Sequence, residues 1–362
     1  MRNNVYKLMK GNEALAEAAI LAKCDAYFGY PITPQSEVIE YLSKEMPGRY
    51  GFALQAESEV AAINMIYGAA GAGGRTMTSS SSPGISLMQE GISYIASAQL
   101  PCLLVNVNRG GPGLGTIQPS QGDYFQSTKG GGHGDYHLIV LAPSSVQEMA
   151  DFVFLGFDLA DKYRNPVMIL SDGAIGQMME KVKFPDVEIK KIAKPWATTG
   201  KTAYRERNII TSLFIQPEKM EEVNKLLVEK YKRICKDEVR YEEMHTEDAE
   251  YILVAYGLSA RISHKAVELA REKGIKAGLI RPITLYPYPY ERINQLADKA
   301  KGFLTVELNA GQMVEDVRLA VNGKKPVEYF GRMGGIIPGP DEILQNLESF
   351  INKKYNGKGN IN

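Results

Sequence analysis

The chain has 362 residues, 44% hydrophobic and 23% charged, which excludes a disordered, collagen-like or rod-like protein. With 42 Lys+Arg against 42 Asp+Glu it carries no net charge, so neither nucleic acid nor an anionic membrane is expected as a partner. Residues 1–13 contain no apolar core and no apolar run nears the roughly 18 residues of a membrane helix, so a cytoplasmic chain without a signal peptide is expected.

The spacing of apolar residues predicts an alternating pattern up to about residue 186. A helix is expected over 14–23, a strand over 26–30, and helices over 34–44 and 58–70. A short strand over 76–79 precedes a helix over 87–97 and a buried strand over 102–107. A strand over 138–141, a long helix over 146–163 and a closing strand over 167–170 complete the series. Strands separated by helices indicate a parallel sheet covered on both faces.

Charged residues dominate 218–250, yet Met220, Val223, Leu227, Tyr231 and Ile234 keep helical spacing. That run reads as an exposed amphipathic connecting helix. A second α/β series follows, with strands over 251–256, 277–280, 303–307 and 327–330. Helices are expected between them over 260–273, 290–300 and 314–321. The expected division is 1–190 for the first unit, 191–248 for the connector, 249–350 for the second unit and 351–362 for a polar, frayed tail.

Cys24, Cys102 and Cys235 lack CxxC spacing and read as buried or inert thiols. They exclude a cysteine-only zinc site or an iron–sulfur cluster held by this chain alone. Two motifs fail on context. Gly200-Lys201-Thr202 resembles the end of a P-loop, but Pro195 stands where that loop needs glycine. The glycines from Gly110 to Gly115 lack dinucleotide-binding spacing.

Tyr30-Pro31-Ile32-Thr33-Pro34 lies at a strand–helix junction. Thr33 suits a helix cap with Pro34 at the first helical position, and equally a ligand contact at a helix start. Glu57 and Glu59 precede a small-residue helix. They either complement its dipole or include a buried carboxyl, a group that retains its proton more readily. Arg109 follows a buried strand and precedes glycine-rich backbone, which suits a fork onto a carboxylate or a solvated loop. The run Lys129-Gly130-Gly131-Gly132-His133-Gly134-Asp135 reads as a flexible turn or a lid bringing His133 to a substrate.

Taken together, Tyr30-Pro31-Ile32-Thr33-Pro34, Glu59 with Gly68, Thr78 to Gly84, Arg109, and Glu307-Leu308-Asn309-Ala310-Gly311-Gln312 resemble the 2-oxoacid:ferredoxin oxidoreductases. The resemblance runs from about Lys10 to Leu347 and is nearest to the α-type subunit of the branched-chain (2-oxoisovalerate) members. It implies an α/β fold: a thiamine-diphosphate pyrimidine-type doubly wound parallel sheet, then a transketolase C-terminal-like domain. It implies oxidative decarboxylation of a 2-oxo acid with CoA to acyl-CoA, CO2 and reduced ferredoxin. By position, Glu59 matches the catalytic carboxylate on the aminopyrimidine ring, with Tyr30 and Pro31 also against the cofactor. Thr33 and Arg109 match positions that contact the substrate's oxo and carboxylate groups.

Ser171-Asp172-Gly173 is the nearest match to a diphosphate and Mg²⁺ motif, and no asparagine pair follows it. No metal ligand is therefore assigned here. The resemblance implies a β subunit carrying diphosphate, Mg²⁺ and [4Fe–4S] sites, with γ and ferredoxin-like δ subunits and ferredoxin. A 2-oxoglutarate enzyme would need a second cation, for which Lys129 or His133 stand available. A non-redox thiamine-dependent decarboxylase or transketolase-like subunit, and a non-catalytic α/β scaffold, stay open as alternatives.

Overall fold

A computed structural model describes residues 6–186, 189 and 192–356. The first unit runs β1 (Lys7–Lys10), α1 (Gly11–Leu21), β2 (Ala26–Gly29), α2 (Ser36–Glu45), β3 (Phe52–Gln55), α3 (Glu59–Gly71), β4 (Thr76–Ser80) and α4 (Ser82–Ser97). It continues through β5 (Cys102–Asn108), α5 (Tyr124–Thr128), β6 (Ile139–Leu141), α6 (Val146–Tyr163), β7 (Pro166–Asp172), α7 (Gly173–Gln177) and β8 (Met179–Val182). After α8 (Pro217–Asp237), the second unit runs β9 (Tyr241–Met244), β10 (Tyr251–Val254), α9 (Gly257–Glu272), β11 (Ala277–Pro282), β12 (Thr284–Tyr286) and α10 (Tyr290–Lys299). It ends with β13 (Gly302–Glu307), α11 (Met313–Val321), β14 (Val327–Gly331) and α12 (Pro340–Asn356).

The first sheet has the order β12-β6-β7-β5-β4-β2-β3, parallel except for β12, which runs antiparallel to β6. The expected parallel α/β sheet is present. β7 does not close it, however; it lies inside, between β5 and β6. Every residue of β5 and β7 is buried, as strands covered on both faces require. The second sheet has the order β14-β13-β10-β11-β9, parallel except for β9. β9 comes from the segment read as connector, and β12 is lent by the second unit to the first sheet. Both are short and carry no alternation to announce them.

α3 and α4 approach closely because glycine allows it. A methyl group at Gly91 would stand 2.5 Å from Cγ2 of Ile63. In α8, Leu227, Tyr231 and Ile234 are buried, as the helical spacing predicts. Lys230 is buried beside them and donates to the Arg164 carbonyl at 3.1 Å, and burial pushes its ammonium down to about 7.

Two further expectations need correction. The helix expected from Pro34 begins at Ser36, with Gln35 at its cap position, so Thr33 is not the cap. Gln35 is held there by accepting from Ser79 Oγ at 2.6 Å and donating to the Tyr30 carbonyl at 3.3 Å. The tail expected from 351 is helical as far as Asn356, and residues 357–362 lie outside the described residues. Cys24 and Cys102 are buried, and burial raises both thiols to about 12, but Cys235 is exposed with its Sγ 3.6 Å from the Tyr286 hydroxyl.

Gln121 joins the two units. Its side chain donates to the Tyr256 carbonyl at 2.8 Å and accepts from Ser259 Oγ at 2.7 Å and Leu308 N at 3.0 Å. Asn309 Nδ2 donates to the Gln121 carbonyl at 2.8 Å. Burial raises the Glu307 carboxyl, opposed by bonds from Asn309 and the first N–H groups of α11. The loop between β5 and α5 is thus fixed from behind by the second unit.

Candidate active site

Chain order places β3 on one side of β2 and β4 on the other. In an open α/β sheet such a reversal leaves a crevice at the carboxyl ends of the strands. Tyr30 to Gln35 follow β2, Glu59 follows β3, Ser81 and Ser82 follow β4, and Arg109 follows β5. Residues scattered over 80 positions of sequence therefore meet at one edge.

Glu59 opens α3. Ser58 caps that helix by accepting from Ala61 N at 3.2 Å, which leaves Glu59 in the first turn. The Glu59 side chain is buried, and among the described residues its carboxylate has no hydrogen bond and no cation. A methyl group at Gly84 would stand 2.6 Å from Glu59 Oε1 and 2.0 Å from Ser80 Oγ, so α4 presents bare backbone to both. Glu57 is exposed and accepts from its neighbour Ser58 at 2.8 Å. The two carboxylates suggested by the sequence thus separate cleanly.

Arg109 reaches across the edge. Nη1 donates to the Thr33 carbonyl at 3.0 Å and Nη2 to the Leu114 carbonyl at 2.9 Å. Its Nε is buried and unpartnered. Its backbone N–H is held by Ser82 Oγ at 3.1 Å. A guanidinium has five N–H donors, so a side-on carboxylate still finds two. Asp123, whose carboxyl is raised by burial, sits behind Ser82 and accepts from Asn106 Nδ2 at 2.8 Å.

Thr33 is exposed, and its hydroxyl is free among the described residues. Tyr30 and Pro31 are exposed at the same turn. Ser80 Oγ, Ser81 Oγ and Asn108 Nδ2 are buried there without partners. A buried unpaired polar atom costs about 1–3 kcal/mol, so a ligand that bonded these three atoms would be stabilised at this edge.

Other candidates from the sequence fall elsewhere. Asp172 caps α7, accepting from Ala174 N at 2.8 Å and Ile175 N at 3.2 Å, and burial pushes its carboxyl up to about 6. Lys129 pairs with Asp316 at 2.5 Å. The glycine run beyond it packs on α4, where Ser93 Oγ donates to the His133 carbonyl at 2.8 Å, rather than forming a lid over Arg109. Lys201 pairs with exposed Glu206. Among the described residues, no group of three or more His, Cys, Asp or Glu is arranged to hold a metal ion, and no helix is long and apolar enough to cross a membrane.

Sequence reasoning gave no individual role to Ser82, within the Thr78 to Gly84 stretch, and missed Gln35 and Gln121, the side chains that hold the site's loops. Ser82-Pro83 at the head of α4 was a legible signal, since proline favours the first turn of a helix. Gln35 and Gln121 carried none.

Comparison with known proteins follows the same outline. Residues 17–250 match the family model of the thiamine diphosphate-binding region of pyruvate flavodoxin/ferredoxin oxidoreductases. Residues 249–343 match core domain II of pyruvate:ferredoxin oxidoreductase. The chain is 52% identical to ketoisovalerate oxidoreductase subunit VorB of Methanothermobacter thermautotrophicus, over 94% of this chain and 97% of the relative. It is 37% identical to 2-oxoglutarate synthase subunit KorA of Methanothermobacter marburgensis, over 94% and 97%. Among solved structures, the 2-oxoglutarate:ferredoxin oxidoreductase of Magnetococcus marinus, with 2-oxoglutarate, coenzyme A and succinyl-CoA bound, superposes with a TM-score of 0.86 at 26% identity. That match covers 95% of this chain but only 65% of the other.

Proposed function

This chain belongs to the 2-oxoacid:ferredoxin oxidoreductase family, and from that premise we propose that it is the α-type subunit of a cytoplasmic branched-chain 2-oxo acid oxidoreductase. The reaction is oxidative decarboxylation of the 2-oxo acid with CoA, giving acyl-CoA, CO2 and reduced ferredoxin. Residues 1–190 act as the pyrimidine-type unit and 249–350 as the transketolase C-terminal-like unit.

The carrying observation is the buried, unpaired Glu59 carboxylate beside the bare backbone of Gly84. This arrangement fits an aminopyrimidine ring, whose nitrogen would meet the Glu59 carboxyl group where Gly84 carries no side chain to block it. Bound thiamine diphosphate supplies the electron sink for loss of CO2. Glu59 would exchange a proton with the ring nitrogen, and Tyr30 and Pro31, exposed at the turn after β2, would contact the cofactor. Arg109 holds the substrate carboxylate through Nε, and the Thr33 hydroxyl meets the oxo group. Diphosphate, Mg²⁺ and [4Fe–4S] clusters belong to a β subunit in this reading, with γ and ferredoxin-like δ subunits completing the complex.

Thr33→Val tests one of these roles at once. Because Thr33 caps no helix, the ~1 kcal/mol typical of a lost cap is not expected, and Tm stays unchanged while turnover of the assembled enzyme falls. A lowered Tm with unaltered turnover per folded molecule removes Thr33 from the substrate site.

The whole reading is tested by co-expressing the chain with its cognate subunits. The assembled complex is expected to reduce a viologen with 2-oxoisovalerate and CoA. The chain purified alone is expected to be colourless, iron-free and inactive. Brown colour or 2-oxo acid oxidation by the single chain contradicts the shared site.

A further inference from the structure

We propose that the loop over 110–117 selects the side chain of the 2-oxo acid, with Leu114 and Ile117 as its apolar contacts. This rests on the reading of the chain as a 2-oxo acid oxidoreductase subunit.

One guanidinium carries the geometry. Arg109 grips the Leu114 carbonyl with Nη2 and the Thr33 carbonyl with Nη1, which leaves its buried Nε for a ligand carboxylate. In a 2-oxo acid the first side-chain carbon is two bonds from the carboxylate carbon. A carboxylate seated on Arg109 therefore brings the alkyl group beside the residues that surround the guanidinium.

The loop is stiff enough to select. Thr116 N donates to the Gly110 carbonyl at 2.8 Å and Gly110 N to the Gln118 carbonyl at 2.9 Å. A methyl group at Gly115, where φ is +59°, would stand 1.7 Å from the Gly110 oxygen. At the base, a methyl group at Gly335 of the second unit would stand 2.3 Å from Gln118 Cβ. On this frame Leu114 is 82% exposed and Ile117 55% exposed. A single exposed leucine is ordinary. Two large apolar side chains stand on a clamped loop whose Leu114 carbonyl is held by the Arg109 guanidinium, and they offer an apolar group a surface there.

Charge argues the same way. No Lys, Arg or His lies between Gly110 and Thr128, and Lys129 is occupied by Asp316. A dicarboxylic substrate finds no second cation on this loop, whereas a branched alkyl group finds apolar contact.

The test uses the assembled complex and compares kcat/KM for 2-oxoisovalerate, pyruvate and 2-oxoglutarate. The double variant Leu114→Ala with Ile117→Ala is expected to lower the 2-oxoisovalerate-to-pyruvate ratio by about 10–200-fold, the range for lost methylene contacts in a pocket. Leu114→Lys is expected to raise the relative use of 2-oxoglutarate. Unchanged ratios in both variants overturn the proposal. Loss of subunit assembly in gel filtration also overturns it, and assigns Leu114 and Ile117 to a partner surface instead. A wild-type complex inert toward all three acids removes the underlying reading and the selector with it.

Discussion

Glu59→Gln in the assembled enzyme is expected to lower turnover by about 10²–10⁴-fold, the usual range for a lost acid–base group, while leaving assembly intact. Gln keeps nearly the same volume and still hydrogen-bonds, so the packing of α3 against Gly84 survives. It cannot give up or take a proton at a ring nitrogen. The measurement that isolates this is C2–H exchange of bound thiamine diphosphate, followed by NMR in D2O. Exchange should slow in Glu59→Gln without loss of bound cofactor. Glu57→Gln is the control. Glu57 is exposed, precedes the helix and, among the described residues, bonds only its neighbour Ser58, so its loss should change nothing. Slowed exchange in Glu57→Gln with normal exchange in Glu59→Gln means the carboxylates have been exchanged. Normal exchange in both removes the acid–base role from this chain.

The fold was legible where periodicity was strong. The helix over 146–163 has the same bounds in the structure, and β5, α3 and α8 lie where apolar spacing placed them. The short antiparallel strands β9 and β12 were not legible, because each exists only through pairing with a partner far along the chain. The site divides similarly. Glu59 and Arg109 stand next to long apolar elements whose direction fixes which edge they reach. The residues alone left Glu57 and Glu59 undivided and the resemblance named Glu59; burial, which no spacing of two residues supplies, separates them in the structure. Thr33 shows the opposite error. Thr-Pro satisfies local cap chemistry, but the bonds of Gln35 to Ser79 and Tyr30 move the helix start to Ser36. Tertiary hydrogen bonds overrode a sound local preference.

Arg109→Ala is expected to lower kcat/KM for the 2-oxo acid by about 30- to 5,000-fold, corresponding to roughly 2–5 kcal/mol for a desolvated charge pair broken on one side. Much of that loss arises because the substrate carboxylate then loses the guanidinium as its counter-charge. The substitution also frees the Thr33 and Leu114 carbonyls, so a second variant must separate binding from loop support. Arg109→Lys keeps the charge but has one ammonium in place of a planar fork. It cannot hold two carbonyls and a side-on carboxylate together, so it should recover only a small part of the lost activity. Cofactor affinity, measured by titrating thiamine diphosphate into the assembled apoenzyme, should change little in either variant, because Glu59 is held by α3 and not by Arg109. An unchanged kcat/KM in Arg109→Ala takes the carboxylate contact away from this residue. Equal losses of cofactor and substrate affinity would make Arg109 a support for the site's loops, and its buried Nε would then need another ligand.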